Sequence, residues 1–363
     1  MRVLIISTDA YGGNGGIALY IRDLCEALAS MSEVLEVVVV PRNSGSVCVE
    51  VPDGIRFVSE ASGGKLSFLR SVFSLRHEPF DFVICGHINL LPVAALFCLP
   101  RRIPLVMMAF GIDVWRRPKS WFRRRLVESV DAVWAGSEIT RDRMQDWSNL
   151  SIEKYGVLLN AIHLERYGMA LPRQDLLERY GLEGGKVLLT LCRLSAAERY
   201  KGIDEVLDLM PALCSHYPYI VYLIAGDGDD QPRLEEKVRK LGLTDHVVFT
   251  GFVEEEDKAD FYRLADVFLM PGRGEGFGFV FLEAMACGIP VVASRLDGSF
   301  EAVRGGELGR AVDPDDMQAL QSAILEALKE DRHIPKGLDY FAFPEFKKRL
   351  LTALFQVIER KKR

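Results

Sequence analysis

Short apolar runs recur along the chain, each separated from the next by a stretch with helical periodicity. In the first half they read VLIIS (3–7), VLEVVVVP (34–41), FDFVICG (80–86), PLVMMAF (104–110) and DAVWAGS (131–137), and the amphipathic IALYIRDLCEALASM (17–31) follows the first of them. Near-continuous aliphatic runs, rather than strict alternation, belong to strands covered on both faces, as in a parallel sheet between helical layers. The pattern restarts after residue 180 with VLLTLCRL (187–194), IVYLIAG (220–226), HVVFTG (246–251), DVFLMPG (266–272) and IPVVAS (289–294), alternating with DQPRLEEKVRKLGL and EDKADFYRLA. It therefore predicts an α/β chain of two doubly wound domains in tandem, joined around VLLNAIHLERYG (157–168). Ligands are then expected at strand carboxyl ends facing the cleft between them.

Length agrees, since 363 residues suit two domains of roughly 100–200 residues each. A hydrophobic fraction of 49% and a net charge of -6 describe a globular chain with no global attraction to nucleic acid. Seven scattered cysteines (Cys25, Cys48, Cys85, Cys98, Cys192, Cys214 and Cys287) without a C-x-x-C pair suggest neither a disulfide framework nor a zinc site, and a reducing cytosol fits best. MRVLIIS runs straight into polar TDAYGGNGG, so no secretory leader is expected. The longest apolar stretch, INLLPVAALFCLP, falls short of the ~20 residues of a membrane span, which limits the expected membrane contact to a peripheral one.

After the first apolar run, YGGNGGIA satisfies G-x-G-x-x-G/A through Gly13, Gly15 and Ala18. A dinucleotide site also expects an acidic residue after the second strand, where this chain has Pro41-Arg42; an arginine there suits a 2′-phosphate and keeps an NADP oxidoreductase open. A simple tight bend is the plainer alternative. The preferred reading is a loop around Gly15 and Gly16 whose amides approach a phosphate at the start of the next helix.

Residues 274–290, GEGFGFVFLEAMACGIP, read as a loop, a helix stopped by Gly288 and the next strand. Gly278 to Phe281 then sit at a helix N-terminus that favours an anion, with Glu275 before it and Glu283 about one turn inside. A diphosphate there would have a carboxylate on each side for vicinal hydroxyls, the layout of a nucleotide sugar.

Glu275-x7-Glu283 within EGFGFVFLEAMACGIPVVAS resembles the E-x7-E signature of the retaining glycosyltransferases of family 4, which have the GT-B fold. Supporting matches run over nearly the whole chain: GGNGG, GSEITRDRM (136–144), LLNAIHLERY, RLSAAERYKGIDEVL (193–207), IAGDGDD (224–230), VVFTGFV (247–253) and DVFLMPGRGEGFG. The resemblance implies an acceptor-binding domain over 1–165, a donor-binding domain over 166–340 and a C-terminal helix, 341–363, crossing back to the first domain. It implies that Arg193 and Lys201 grip the donor diphosphate, where converging cations stabilise growing leaving-group charge. SAAERY between them departs from the family spacing. Glu283 is implied as the ribose binder, Glu275 as the donor-sugar contact, Gly276, Phe277, Gly278, Phe279 and Val280 as the phosphate loop, and backbone near Phe252 and Val253 as the base contact. Asp227-Gly228-Asp229 imitates a D-x-D metal motif but follows a strand, where these are ordinary turn residues, so no metal and no cofactor is expected.

Between Arg101 and Arg125 there are eight basic residues and one acidic one, Asp113, with Trp115, Trp121 and Phe122 interleaved. A solvated face is one reading. Arg116, Arg117, Trp121, Arg123, Arg124 and Arg125 also suit an anionic membrane surface or a lipid-linked acceptor phosphate, with SFLRSVFSLRH (67–77) as a second basic amphipathic surface. Nucleic acid fits poorly. His87 follows a strand and is either a structural histidine or a site residue. Many family members have a histidine where this chain has Phe110-Gly111, which makes Phe110 an apolar wall for a sugar and leaves the polar contact to Asp113 or His87. The expected activity is transfer of a hexose from GDP-mannose or a UDP-hexose to a glycan or lipid-linked hydroxyl, with retention by front-face attack. A nucleotide-sugar epimerase and a non-catalytic sugar-nucleotide binding subunit remain alternatives. The expected location is the cytoplasm, including the inner membrane face.

Overall fold

The computed structural model describes residues 1–13, 15–43 and 50–362, with backbone alone at 361 and 362. Asn14 of the glycine loop, Cys48 and Arg363 lie outside the described residues. The chain divides into two compact units, Met1–Ala161 with Phe341–Arg363, and Ile162–Tyr340.

Among the described residues the first unit is built on seven parallel strands: β1 (Arg2–Ser7), β2 (Glu36–Pro41), β3 (Ile55–Phe57), β4 (Phe82–Cys85), β5 (Leu105–Ala109), β6 (Ala132–Ala135) and β7 (Tyr155–Val157), in the order β3-β2-β1-β4-β5-β6-β7. Register is set by burial: Val3 to Ile6 pair with Val37 to Val40 on one side and with Phe82 to Cys85 on the other, and all twelve are fully buried. A slip of one residue would exchange the sheet faces these side chains occupy. The C-terminal helix Phe343–Lys362 belongs to this unit. Its Phe346 meets Tyr20 edge-to-face at 5.7 Å, and Lys347 Nζ donates to the Ser30 carbonyl at 3.0 Å.

The second unit has six parallel strands: β8 (Val187–Leu191), β9 (Val221–Ala225), β10 (Val247–Gly251), β11 (Val267–Leu269), β12 (Val291–Ser294) and β13 (Arg310–Val312), in the order β10-β9-β8-β11-β12-β13. Both sheets thus reverse strand order beside their first strand, the topology that leaves a crevice at the strand carboxyl ends. No helix among the described residues is long and apolar enough to cross a membrane.

Candidate active site

In the second unit the sequence-predicted donor residues all follow strand carboxyl ends. Arg193 comes after β8, Phe252 and Val253 after β10, and the loop Arg273–Gly278 after β11. Lys201 is brought beside that loop by Gly202, which caps the helix Ile203–His216 at φ 87° and packs so closely that a Cβ would lie 2.4 Å from the Pro271 carbonyl oxygen. The Arg273 amide donates to the Tyr200 carbonyl at 2.8 Å and ties the two segments together.

The loop itself is held by a residue that the sequence reading missed. Asp297, after β12, is 1% exposed and accepts from the Glu275 amide at 2.9 Å and the Ser299 hydroxyl at 2.6 Å. An Asp-Gly-Ser turn after a strand is the signal that could have found it. Glu275 is half-buried with its Oε1 accepting from the Gly276 amide at 3.1 Å, and burial pushes its carboxyl above the ordinary value despite nearby Lys201. Gly278, at φ 95°, caps the helix Phe279–Ala286, whose first amides have no intrahelical partner. Phe277 is buried in the loop, and Phe279 and Val280 are half-buried.

Glu283 differs from its expected setting. Implied as the ribose binder, it is nonetheless only 2% exposed. Tyr262 Oη donates to its Oε2 at 2.6 Å, Lys258 Nζ lies 3.6 Å from its Oε1, and the Tyr167 hydroxyl also hydrogen-bonds to it. Lys258 bridges on to Glu255 at 2.7 Å. Burial alone would depress the Lys258 ammonium, but Glu283 and Glu255 outweigh it and its pKa is raised. Its helix neighbours Phe281, Leu282 and Ala284 are fully buried. Beside this network opens a cavity of about 500 Å³ lined by Arg166, Tyr167, Glu254, Glu255, Glu256 and Ala259. Tyr167 and Glu255 therefore belong both to the cavity wall and to the Glu283 network. Val253, at 7% exposure, anchors the segment leading into it, while Phe252 is 53% exposed.

Asp229 Oδ1 accepts from the Ala196 amide at 2.8 Å and so tethers the Ala196–Lys201 turn.

In the first unit, Gly15 caps the helix Gly16–Ala29 at φ 116° after β1, His87 follows β4 and Phe110 follows β5. His87 Nδ1 accepts from the Asn89 amide at 3.0 Å, and burial, then the charge of Arg123, holds its pKa below the ordinary value. The ring thereby caps a helical turn. Phe110 packs edge-to-face on Tyr20 at 5.3 Å. Asp113 is turned inward: its Oδ1 accepts from the Gly111 amide at 2.7 Å, while Oδ2 is buried without a partner. In this arrangement Oδ1 holds the turn that follows Phe110 through the Gly111 amide.

Burial pushes the Asp113 carboxyl up to about 6 against backbone donors that lower it. A carboxyl whose folded pKa is raised destabilises the native state above that pKa, and the penalty disappears as pH falls toward the unfolded value. The wild type is therefore expected to gain about 2 kcal/mol relative to Asp113→Asn between pH 7 and pH 4, read from urea melts. Parallel stability curves for the two proteins would remove the buried charge from Asp113.

The basic segment is exposed at Arg116, Arg117, Arg123 and Arg125, with Arg124 half-buried. Trp121 is 67% and Phe122 52% exposed on the helix Trp121–Glu128. Trp115 departs from the expected surface, because Arg143 stacks 3.9 Å above its ring and its Nε1 donates to Thr140. Trp121 and Trp147 line a shallow cavity of about 280 Å³ with Arg117, Arg124 and Arg125. The helix Lys65–Ser74 adds exposed Leu66 and Leu69. Binding to vesicles of phosphatidylglycerol and phosphatidylcholine, but not phosphatidylcholine alone, is the expected behaviour, lost as salt approaches molar levels where screening shortens to about 3 Å. Glutamates at Arg123, Arg124 and Arg125 should abolish it in a sedimentation assay. Salt-independent binding, or none, would leave this face as solvated surface.

The two units also match known families. Residues 177–339 match the model described as glycosyl transferases group 1, and residues 15–161 the glycosyl transferase 4-like domain. The chain is 39% identical over 362 residues to the phosphatidyl-myo-inositol mannosyltransferase of Mycobacterium tuberculosis, covering 91% of this chain and 88% of that protein. It is 38% identical over 167 residues to a GDP-mannose-dependent alpha-(1-6)-phosphatidylinositol monomannoside mannosyltransferase of Mycolicibacterium smegmatis, a match that covers 44% of this chain and 43% of the relative. A mannosylfructose-phosphate synthase of Agrobacterium fabrum, 34% identical over 224 residues and 57% of this chain, is likewise matched over less than half its length, 47%. Among solved structures, Anabaena HepE in complex with UDP superposes with a TM-score of 0.73 at 20% identity, over 98% of this chain and all of that one. The chain belongs to the group 1 glycosyltransferases, with the GT-B fold and a family 4 type of sequence. That membership removes the nicotinamide oxidoreductase reading of the glycine loop.

Proposed function

We propose that this chain is a retaining, metal-independent mannosyltransferase that takes its hexose from GDP-mannose and passes it to a hydroxyl of a lipid-linked or glycan acceptor held by the first unit. The observation that carries the donor choice is the carboxylate-lined cavity that shares Tyr167 and Glu255 with the Glu283 network. With ribose at Glu283, the base falls in that cavity. Guanine offers adjacent N1–H and N2–H donors, which a carboxylate accepts as a bidentate pair. Uracil offers two carbonyl oxygens flanking one N–H, and these repel carboxylates. The relatives named as GDP-mannose-dependent and phosphatidyl-myo-inositol mannosyltransferases support the same donor.

Ribose can reach Glu283 only if one of its present donors yields, and Tyr167, on the cavity wall, is the one a ribose hydroxyl can replace. Arg193 and Lys201 would stabilise the departing diphosphate, and the phosphate itself would take the acceptor proton, so no protein base is required of Phe110. An epimerase would release an isomerised sugar without acceptor, and a binding subunit would turn nothing over.

A thermal-shift panel tests the donor: GDP-mannose at 100 times its dissociation constant should stabilise by roughly 2.7 kcal/mol, and UDP-glucose at equal concentration much less. Preference for UDP-glucose would overturn the guanine reading. Transfer of radiolabelled mannose into a lipid extract, unchanged by EDTA, is the expected activity. Its loss in EDTA and return with a divalent cation would overturn metal independence.

A further inference from the structure

The turn Ala196–Lys201 contains one residue that the donor reading leaves without a role. Glu198 sits inside SAAERY, where the chain departs from the family spacing, at a non-helical φ/ψ of -119° and 27°. Its side chain is only 13% exposed, although the turn is on the surface. One carboxylate oxygen takes a hydrogen bond from Arg193 Nη2, and the other lies 3.2 Å from Lys201 Nζ. These are the two cations assigned to the donor diphosphate. Arg193 is itself 70% exposed, and Lys201 has Glu275 as a further acidic neighbour.

The turn holding Glu198 is fixed from behind. The Ala196 amide is bound by Asp229, and Arg199 pairs with the Asp230 carboxylate, Nη2 to Oδ1 at 2.8 Å. Glu198 thus reaches the cations from a tethered backbone, and its side chain can swing away by rotamer change alone. An anion bound by a guanidinium on one oxygen and an ammonium on the other presents the same charge pattern as two oxygens of a diphosphate.

We infer that Glu198 is an internal stand-in for the donor diphosphate: it occupies Arg193 and Lys201 when no donor is bound and must be displaced for the donor to bind. The inference rests on the reading of Arg193 and Lys201 as the diphosphate grip. A carboxylate in this place keeps two converging cations from repelling each other and sets donor affinity, because the apparent dissociation constant is the intrinsic one divided by the fraction of molecules whose cations are free. The same factor applies to any ligand whose phosphates need both cations, and not to one that touches neither.

Calorimetric titrations of wild type, Glu198→Gln and Glu198→Ala with GDP, UDP, GMP and guanosine test this, with thermal melts confirming that each variant is folded. Both variants are expected to bind GDP about tenfold more tightly than wild type, and guanosine with unchanged affinity, which confines the effect to the phosphates. GMP should gain no more than GDP, because one occupancy factor governs every ligand that needs both cations. Equal or weaker GDP binding by folded Glu198→Gln would overturn the inference and make Glu198 a support for the cations. If UDP binds and GDP does not, the guanine reading fails while the same comparison in UDP still decides the role of Glu198. If no nucleoside diphosphate binds wild type or variants, the diphosphate grip itself is wrong and the inference falls with it.

Discussion

Replacing Lys201 with alanine is expected to lower kcat by about 10²-fold or more while leaving a folded protein, because the ammonium would meet negative charge that grows as the diphosphate leaves. The side chain is 16% exposed and lies between Glu198 and the Glu275 loop, so its charge acts in a partly dry setting where screening is weak. Burial alone would lower its pKa, but Cys192, Glu275 and Glu198 outweigh that, and the group is protonated throughout the working pH range. Arginine should restore little, since a guanidinium is larger and needs a planar, two-pronged approach that a near-buried point-charge site does not offer. Arg193→Ala should be milder, because its guanidinium is mostly in water. Single-turnover transfer from radiolabelled GDP-mannose reads the chemical step directly, and a Lys201→Ala rate equal to wild type would remove the residue from the mechanism.

What made Lys201 visible in the sequence was a family pattern, whereas its electrostatic partners required the fold. The apolar runs announced the central strands because most are four to six residues long, and β11, at three, is continued by buried Met270. The edge strands β3, β7 and β13, at three residues each, carry too few side chains for any period to appear, and the predicted linker begins on Val157, the last residue of β7. The helix cap at Gly278 was legible from glycine before an apolar run. Asp113, by contrast, looked like a free carboxylate, since nothing in GIDVW says that its oxygen turns back onto the Gly111 amide. Charge in a sequence carries no direction. Glu198 was passed over for the same reason: it belongs to a polar stretch, and only the tertiary path of the turn brings it between Arg193 and Lys201.

Glu283→Ala should therefore act on stability as well as on ligand. The substitution strips a buried carboxylate from Tyr262, Tyr167 and Lys258, leaving two hydroxyls without their acceptor and Lys258 with Glu255 as its remaining ion-pair partner. Unsatisfied buried donors cost about 1–3 kcal/mol each, and breaking a buried ion pair from one side costs about 3–5 kcal/mol. Because Lys258 keeps Glu255 and Tyr167 borders the open cavity, a net loss near the lower figures, about 3 kcal/mol, is expected in urea melts. Glu283→Gln retains an acceptor for Tyr262 and should lose less stability, which separates folding from binding. In that variant GDP affinity should still drop by about tenfold, while pyrophosphate affinity stays level, because the deficit lies at the ribose rather than at the phosphates. Unchanged GDP affinity in folded Glu283→Gln would sink the ribose assignment. A Glu283→Ala protein that melts like wild type would sink the buried network, a result separate from the first because it is read without ligand.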